Sequence, residues 1–133
     1  MTKRNLSTSI NGIRRLLATT AVLFAAAPVL ADESFVLHGD AKDGKPLYQT
    51  HCADCHGERA QGDGSWAGAY DPPPSVLTRE GLSAERLFIA TRDGGMAVGM
   101  RATMPAFRHT LDEQSIHDIV AYIHSLSDST STP

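Results

Sequence analysis

The chain has 133 residues and a net charge of −3 at pH 7, with 41% hydrophobic and 20% charged residues. Only eight of its 12 basic residues but all 15 acidic residues follow residue 31, so the remainder of the chain carries −7. This acidity argues against nucleic acid as a partner. It is consistent with docking to surfaces that carry positive charge, and equally with a charge that only keeps a small protein soluble. The length after residue 31 suits one small domain with a modest core.

Residues 1–31 have the pattern of a cleavable export signal. Basic residues precede an uncharged stretch at positions 16–30, and Ala31 is a small residue that suits cleavage. A bilayer-spanning helix needs about 20 apolar residues, so an uncleaved anchor is the weaker alternative. Adjacent Arg14 and Arg15 leave a twin-arginine route open, but we favour the general secretory route. We expect cleavage after Ala31 and a single domain over residues 32–133.

A first helix is predicted to begin near Asp43 and to run toward Cys52. Pro46 is expected in its first turn, where a missing N–H costs no helical hydrogen bond. Gly44 and Tyr48 are four residues apart and therefore share one face of this helix. Residues 32–40, which precede it, are expected to form a loose lead-in.

The sequence Cys-Ala-Asp-Cys-His at residues 52–56 is the most informative motif in the chain. Two thiols at this spacing can add across the vinyl groups of a haem, and the adjoining His56 then becomes the proximal iron ligand. A thioredoxin-like dithiol would need a βαβ context, and a structural zinc site would need a second ligand pair. Cys52 and Cys55 are the only cysteines, so none is left for a disulfide.

Residues 57–70 are rich in glycine and polar residues and are predicted to form a loop around the haem edge. No preceding strand and no following Lys-Ser/Thr pair support a phosphate cradle. Trp66 and Arg59 are candidate donors to a haem propionate, with a plain surface role as the alternative. The prolines at 72–74 predict an extended segment, either a rigid connector or part of the haem site.

A second helix is predicted to begin after the N-cap Ser83 and to end at the glycine pair 94–95, with Leu87 and Phe88 in the core. Three methionines follow at intervals of four residues. Interrupting glycines and Pro105 indicate a loop here instead of a helical stripe. The methionines of this loop are Met96, Met100 and Met104.

The last helix has the clearest pattern. Thr110 and Glu113 are predicted to form a capping box. Apolar residues then recur at helical spacing, which predicts a buried face that crosses the first helix. The residues of this face are Ile116, Ile119, Val120 and Ile123. We expect the helix to end near Leu126 and residues 127–133 to be a disordered tail.

Together these features resemble the class I, mono-haem bacterial cytochrome c family over most of the chain after residue 40. The resemblance implies a small all-α fold, with helices wrapped around one covalently attached haem c and with the N- and C-terminal helices crossing. The matching positions are Gly44, Tyr48, Cys52, Cys55, His56, Gly57, the run from Met104 to Phe107, and Tyr122.

The resemblance also implies the iron ligands. His56 is then the proximal ligand and Met104 the distal ligand, with Met100 as the alternative and Met96 as pocket lining. Pro105 restrains Met104 to an extended backbone, which helps to present its thioether. In the family a carbonyl of the proline-containing loop accepts the Nδ1–H of the ligating histidine, and residues 72–74 are the candidates.

Further implications concern packing and the remaining histidines. Close approach of the two terminal helices at Gly44 is implied, with Tyr122 and Ile119 as partners of Gly44 and Tyr48.

The remaining histidines are interpreted as solvated, although His51 and His109 are possible competitors for the iron. These histidines are His38, His51, His109, His117 and His124.

The function that the resemblance implies is single-electron transfer by a soluble periplasmic carrier. Its partners would be periplasmic or membrane-bound redox proteins, without stable membrane insertion, and we expect a monomer that is not an enzyme. One alternative is a haem subunit of a larger periplasmic dehydrogenase or reductase complex. The other is a haem enzyme or gas sensor with a labile sixth ligand, for which no distal His-Arg pair at helical spacing is evident.

Overall fold

A computed structural model describes residues 34–130 of the chain. Within them four α-helices are present and no β-strand, which confirms the all-α prediction. The helices are α1 (Ala41–His51), α2 (Ala53–His56), α3 (Ala84–Asp93) and α4 (Glu113–Thr130), with short 3₁₀ turns at Ala67–Ala69 and Gly95–Val98. The predicted export signal and residues 131–133 of the predicted tail lie outside the described residues.

Helix α1 begins earlier than the sequence predicted. Asp40 is its N-cap, because a carboxylate oxygen of Asp40 accepts a hydrogen bond from the main-chain N–H of Lys42 at 2.7 Å. Asp43 is instead an acidic residue of the first turn, where it suits the helix dipole. Pro46 is the sixth residue of α1 and lies beyond the first turn, so the prediction that its missing N–H is free of cost is wrong.

Helices α1 and α4 pack closely at Gly44, as predicted. A Cβ atom added to Gly44 would overlap the main-chain carbonyl of Asp118. One turn later, Tyr48 is fully buried and its ring centroid lies 5.3 Å from that of Tyr122. Ile119 is also fully buried. The absence of a side chain at Gly44 therefore permits the approach that buries Tyr48 against Tyr122.

The apolar face predicted for α4 is confirmed, but both predicted ends of this helix are wrong. Its apolar residues are at most 2% exposed: Ile116, Ile119, Val120 and Ile123. The capping oxygen comes from Asp112, which accepts from Ser115 N at 2.7 Å, and this bond lowers the pKa of Asp112. Thr110 lies in the preceding turn, where its N–H donates to Phe107. The helix continues to Thr130, four residues beyond Leu126.

Helix α3 follows the sequence prediction. The Ser83 hydroxyl accepts from the main-chain N–H of Arg86 at 3.2 Å, and Gly94 ends the helix at φ 86°. Leu87 and Phe88 are each 5% exposed and belong to the core. None of the helices in residues 34–130 is long and apolar enough to cross a membrane.

The segment before α1 and one histidine of α4 are packed, contrary to prediction. Phe35 lies 5.3 Å from Phe88 and 5.6 Å from His117 between ring centroids, so residues 34–40 are not a loose lead-in. His117 is 8% exposed, and its Nδ1 atom has no hydrogen-bond partner in the described structure. The prediction of a solvated His117 is therefore wrong. His124 is half-buried, and its Nε2 atom also lacks a partner there.

Candidate functional site

The residues of the Cys-x-x-Cys-His motif lie where α1 ends and α2 begins. The N–H of Cys52 donates to Tyr48 O at 2.8 Å, and the carbonyl of Cys52 accepts from His56 N at 2.9 Å. Cys52 therefore closes α1 and opens α2, which places both thiols and the imidazole on one short, hydrogen-bonded segment. Both thiols are free of disulfides and half-buried. Burial, with a smaller contribution from Cys55, raises the pKa of the Cys52 thiol to about 12.

Tyr48 holds the other end of this segment. Its hydroxyl donates to the carbonyl oxygen of Gly57, the residue after His56, at 2.7 Å. Because this hydroxyl is buried, its pKa is raised above the usual tyrosine value. The side chain of α1 that packs against α4 thus also fixes the backbone immediately after His56.

His56 is oriented by a single carbonyl. The His56 Nδ1 atom lies 3.0 Å from the main-chain oxygen of Ser75, and since a carbonyl only accepts, Nδ1 carries the proton. The lone pair of the neutral ring is then on Nε2, the atom left for a metal. Burial lowers the pKa of His56, which keeps the ring neutral, and the hydrogen bond to Ser75 opposes this effect. The acceptor is thus Ser75. The prediction that a proline of residues 72–74 provides the acceptor is wrong.

His56 lines a cavity that is mainly apolar and that Met100 and Met104 also line. The cavity brings Cys52 and His56 together with Met100 and Met104, which are about 50 residues further along the chain. The other residues that line it are Ser75, Leu77, Arg79, Leu82, Arg86, Leu87, Ala90, Thr91, Val98 and Ile123. Cys55 does not line the cavity. It lies beside Tyr70 instead, where a hydrogen bond with Cys55 raises the pKa of the Tyr70 hydroxyl. These residues fit a haem: apolar walls, a free imidazole nitrogen, thioether sulfurs and adjacent thiols.

The methionine loop, defined here as residues 94–104, has the irregular backbone that the sequence predicted. Its two ends are joined by a hydrogen bond from Gly95 N to Met104 O at 3.1 Å. A Cβ atom at Gly95 would lie 2.6 Å from Arg101 O, so the loop can fold back only at a glycine. Met104 is half-buried, whereas Met100 is 41% and Met96 69% exposed. Met96 is absent from the cavity lining, so the prediction that Met96 lines the pocket is wrong.

The cationic groups at this cavity were missed in the sequence. Arg79 and Arg86 line it, whereas Arg59, which the sequence offered as one candidate donor, lines a separate, more open and polar cleft. Trp66 is 58% exposed and lines neither of these two sites. One sequence feature could have identified Arg86 as a residue of the cavity: it lies directly before Leu87, a residue predicted to be in the core.

Comparison with known proteins identifies the family. Residues 39–123 match the family described as cytochrome C oxidase, cbb3-type, subunit III. The chain is 34% identical over 94 residues to cytochrome c-554(547) of Halothiobacillus neapolitanus, covering 66% of this chain and 98% of that protein. It is 33% identical over 86 residues to the cbb3-type cytochrome c oxidase subunit CcoP of Azospirillum brasilense. That match covers 65% of this chain but only 28% of the length of CcoP.

A solved structure agrees on the fold. A chain of the Kuenenia stuttgartiensis reducing HAO-like protein complex superposes with a TM-score of 0.52 at 24% identity. The match covers 65% of this chain and 43% of that one. The family match and the curated relatives, in contrast, show that the chain belongs to the c-type cytochrome family of the cbb3-type oxidase subunit III, and its cofactor is covalently bound haem c.

Proposed function

We propose that the protein transfers single electrons in the periplasm through a haem that Cys52 and Cys55 attach and that His56 and Met104 ligate. The observation that carries the proposal is that His56 and Met104 line one apolar cavity although 48 positions separate them. Bound haem supplies an iron that alternates between the ferric and ferrous states. Two permanent protein ligands would leave no open position for oxygen or peroxide, which favours a carrier over an enzyme.

The surroundings of His56 support its role as the proximal ligand. The bond to Ser75 fixes both the tautomer and the orientation of the ring, and it raises the basicity of Nε2. The loss of solvent around His56 keeps the ring unprotonated, which is the form that binds a metal.

The geometry of the methionine loop supports Met104 over Met100 as the distal ligand. The carbonyl of Met104 is tied to Gly95 N, and its side chain is half-buried in the cavity lining. Met100 also lines the cavity, but it is 41% exposed. A thioether ligand and the aliphatic walls at Leu82 and Leu87 would both favour the ferrous state and raise the reduction potential.

Optical spectra of the haem-loaded protein test the ligand assignment. Met104→Ala should abolish the weak thioether-to-iron absorption at the red end of the oxidised spectrum, lower the reduction potential and permit CO binding. Met96→Ala and Met100→Ala are the matched controls and should leave all three properties unchanged. Opening of the site by Met100→Ala would move the assignment to Met100. Ready CO binding by the parent at neutral pH would contradict the carrier function.

A second candidate function is that of a haem subunit held permanently in an oxidoreductase complex. The match to a family of oxidase subunits favours it, although the chain spans only 28% of the A. brasilense subunit. The near-complete coverage of cytochrome c-554(547) favours the free carrier. Size-exclusion chromatography of the exported protein from its own cells separates the two functions: a carrier elutes as a small monomer, whereas a subunit elutes with a larger complex.

The charge of the chain suggests how a carrier would meet its partners. After removal of residues 1–31 the protein would carry −7, so electrostatic steering would favour redox partners with a positive docking surface. Electron-transfer rates with such a partner should fall as salt concentration rises. A rate that is independent of salt would exclude this mode of docking.

A further inference from the structure

The base of the methionine loop is attached to the rest of the protein through its main chain. Beyond the bond between Gly95 and Met104, the residues that follow the loop run along the end of α3. There Phe107 N donates to Thr91 O at 3.0 Å and Arg108 N to Arg92 O at 3.1 Å. These bonds position the start and the end of the loop without any side chain.

The tip of the loop, defined as residues 96–101, is held differently. Its main-chain hydrogen bonds in the described structure stay within the loop, as with Met100 N to Gly95 O at 2.9 Å. The connection to α3 is a side chain: Arg86 Nη2 donates to Val98 O at 2.6 Å. A charged donor at this distance makes a strong hydrogen bond compared with neutral ones. The hydrogen bond between the tip and α3 is therefore made by the guanidinium of Arg86.

A second arginine links the tip to the proximal side of the cavity. Arg101 Nη1 donates to Asp71 O at 3.3 Å. Asp71 begins the proline segment that leads to Ser75, the acceptor of the His56 Nδ1–H. The longer distance indicates a weaker bond than that of Arg86.

We propose that Arg86 is a positioning residue that holds the methionine loop over the cavity, with Arg101 as a weaker second attachment. The proposal rests on the proposed function, because Met104 in this loop is there the distal ligand. Without the bond to Val98 the tip can move away from α3. Because Val98 and Met100 of the tip line the cavity together with Met104, this movement opens the cavity to other ligands. Arg86 thereby restricts access of other ligands to the site through its hydrogen bond to the loop.

Substitution of Arg86 also removes a positive charge beside the cavity. This loss of charge is an alternative explanation of any change in ligand binding that the substitution causes. Arg79 separates the two explanations, because it lines the same cavity but makes no side-chain hydrogen bond with the described residues. Loss of either charge should change the electrostatics of the cavity in a similar way. Only substitution of Arg86 removes an attachment of the loop. The N-cap bond at Ser83 uses the main-chain N–H of Arg86 and survives substitution of the side chain.

The experiment compares Arg86→Met with Arg79→Met in the haem-loaded, oxidised protein. Imidazole titration reports how readily the distal ligand is displaced, and hydrogen exchange reports the opening of residues 96–101. We expect Arg86→Met to tighten imidazole binding by about threefold to tenfold, the effect of losing one net hydrogen bond, and to speed exchange of these amides. Arg79→Met should leave exchange of these amides unchanged and should alter imidazole binding less than Arg86→Met does, and Arg86→Lys should lie between the parent and Arg86→Met.

Equal effects of Arg86→Met and Arg79→Met would overturn the proposal in favour of charge, and so would unchanged exchange in Arg86→Met. Met104→Ala is measured in parallel to separate this proposal from the ligand assignment. If Met104→Ala leaves imidazole binding unchanged, the assignment of Met104 fails, and the exchange data alone then decide whether Arg86 holds the loop. If Met104→Ala opens the site but Arg86→Met has no effect, only the role of Arg86 is refuted.

Discussion

Gly44 of α1 lies directly against the main-chain carbonyl of Asp118 in α4, so that the two helices meet with no side chain between them. Asp118 also uses its carboxylate in this region: an oxygen of its side chain accepts from the main-chain N–H of Asp40 at 2.8 Å. The crossing therefore joins the N-cap residue of α1 and the middle of α4. Since α1 leads into Cys52, this contact also positions the segment that we propose for haem attachment.

Substitution of Gly44 should destabilise the fold. In an exposed helix Gly→Ala stabilises by about 1 kcal/mol, but here the added Cβ forces the helices apart, at a cost of about 1–3 kcal/mol. Gly44→Val should cost more. Denaturant unfolding of the haem-loaded protein measures both effects. Gly68→Ala is the control, because a Cβ at Gly68 meets nothing within 4 Å. Equal stability of Gly44→Ala and the parent would contradict the close contact.

Removal of the Tyr48 hydroxyl should weaken the segment after His56. Tyr48→Phe leaves the Gly57 carbonyl without its buried partner, which should lower the free energy of unfolding by about 1–3 kcal/mol. Tyr122→Phe alters the other ring of the same pair and is the control, with an expected loss well below that of Tyr48→Phe. Similar losses in both variants would show that ring packing dominates over the hydrogen bond.

The raised pKa of Tyr48 predicts that the stability of the fold decreases at high pH. Burial raises the pKa of Tyr48 in the folded state, and this cause persists when Cys52 carries haem. The neutral form is thus favoured by folding, so its contribution is complete below the unfolded tyrosine pKa of about 10 and declines as pH rises above that value. The stability difference between the parent and Tyr48→Phe should therefore shrink above about pH 10. A constant difference up to pH 11, about one unit above that pKa, would contradict the burial argument.

Replacement of His117 should not destabilise the protein. Its buried Nδ1 atom lacks a partner within the described residues, and an unsatisfied polar atom costs about 1–3 kcal/mol. His117→Phe keeps a ring between Phe35 and Phe88 and removes this atom, so the melting temperature should hold or rise. His38→Phe tests a neighbouring, exposed ring as the control. A clear loss of stability only in His117→Phe would indicate that Nδ1 has a partner in solution.

Loss of both attachment thiols should prevent folding around the haem. Cys52→Ala combined with Cys55→Ala removes both proposed sites of covalent attachment, and the small core would lack its centre. The double variant should lose the haem during denaturing electrophoresis and most of its far-ultraviolet helical signal. Each single variant should keep one thioether and an intermediate signal. A stable, helical, haem-free double variant would show that the helices pack without the cofactor.

Local chemistry in the sequence was sufficient for several features. The spacing of Cys52, Cys55 and His56 points to covalent haem because the reaction involves residues within one turn of chain. The periodic apolar residues of α4 identified its buried face, and Ser83 identified the start of α3, because caps and amphipathic faces depend on residues three or four positions apart.

Features that depend on residues distant in the chain required the tertiary structure. Every residue offers a carbonyl, so only the folded chain shows that Ser75 accepts from His56. The burial of His117 likewise follows from the packing of Phe35, which no periodicity in α4 encodes. Arg86 resembles any surface arginine in the sequence, and its hydrogen bond to Val98 exists because α3 and the methionine loop fold back on each other. Local patterns thus determined the helices and the attachment motif, whereas long-range packing decided the partners of their side chains.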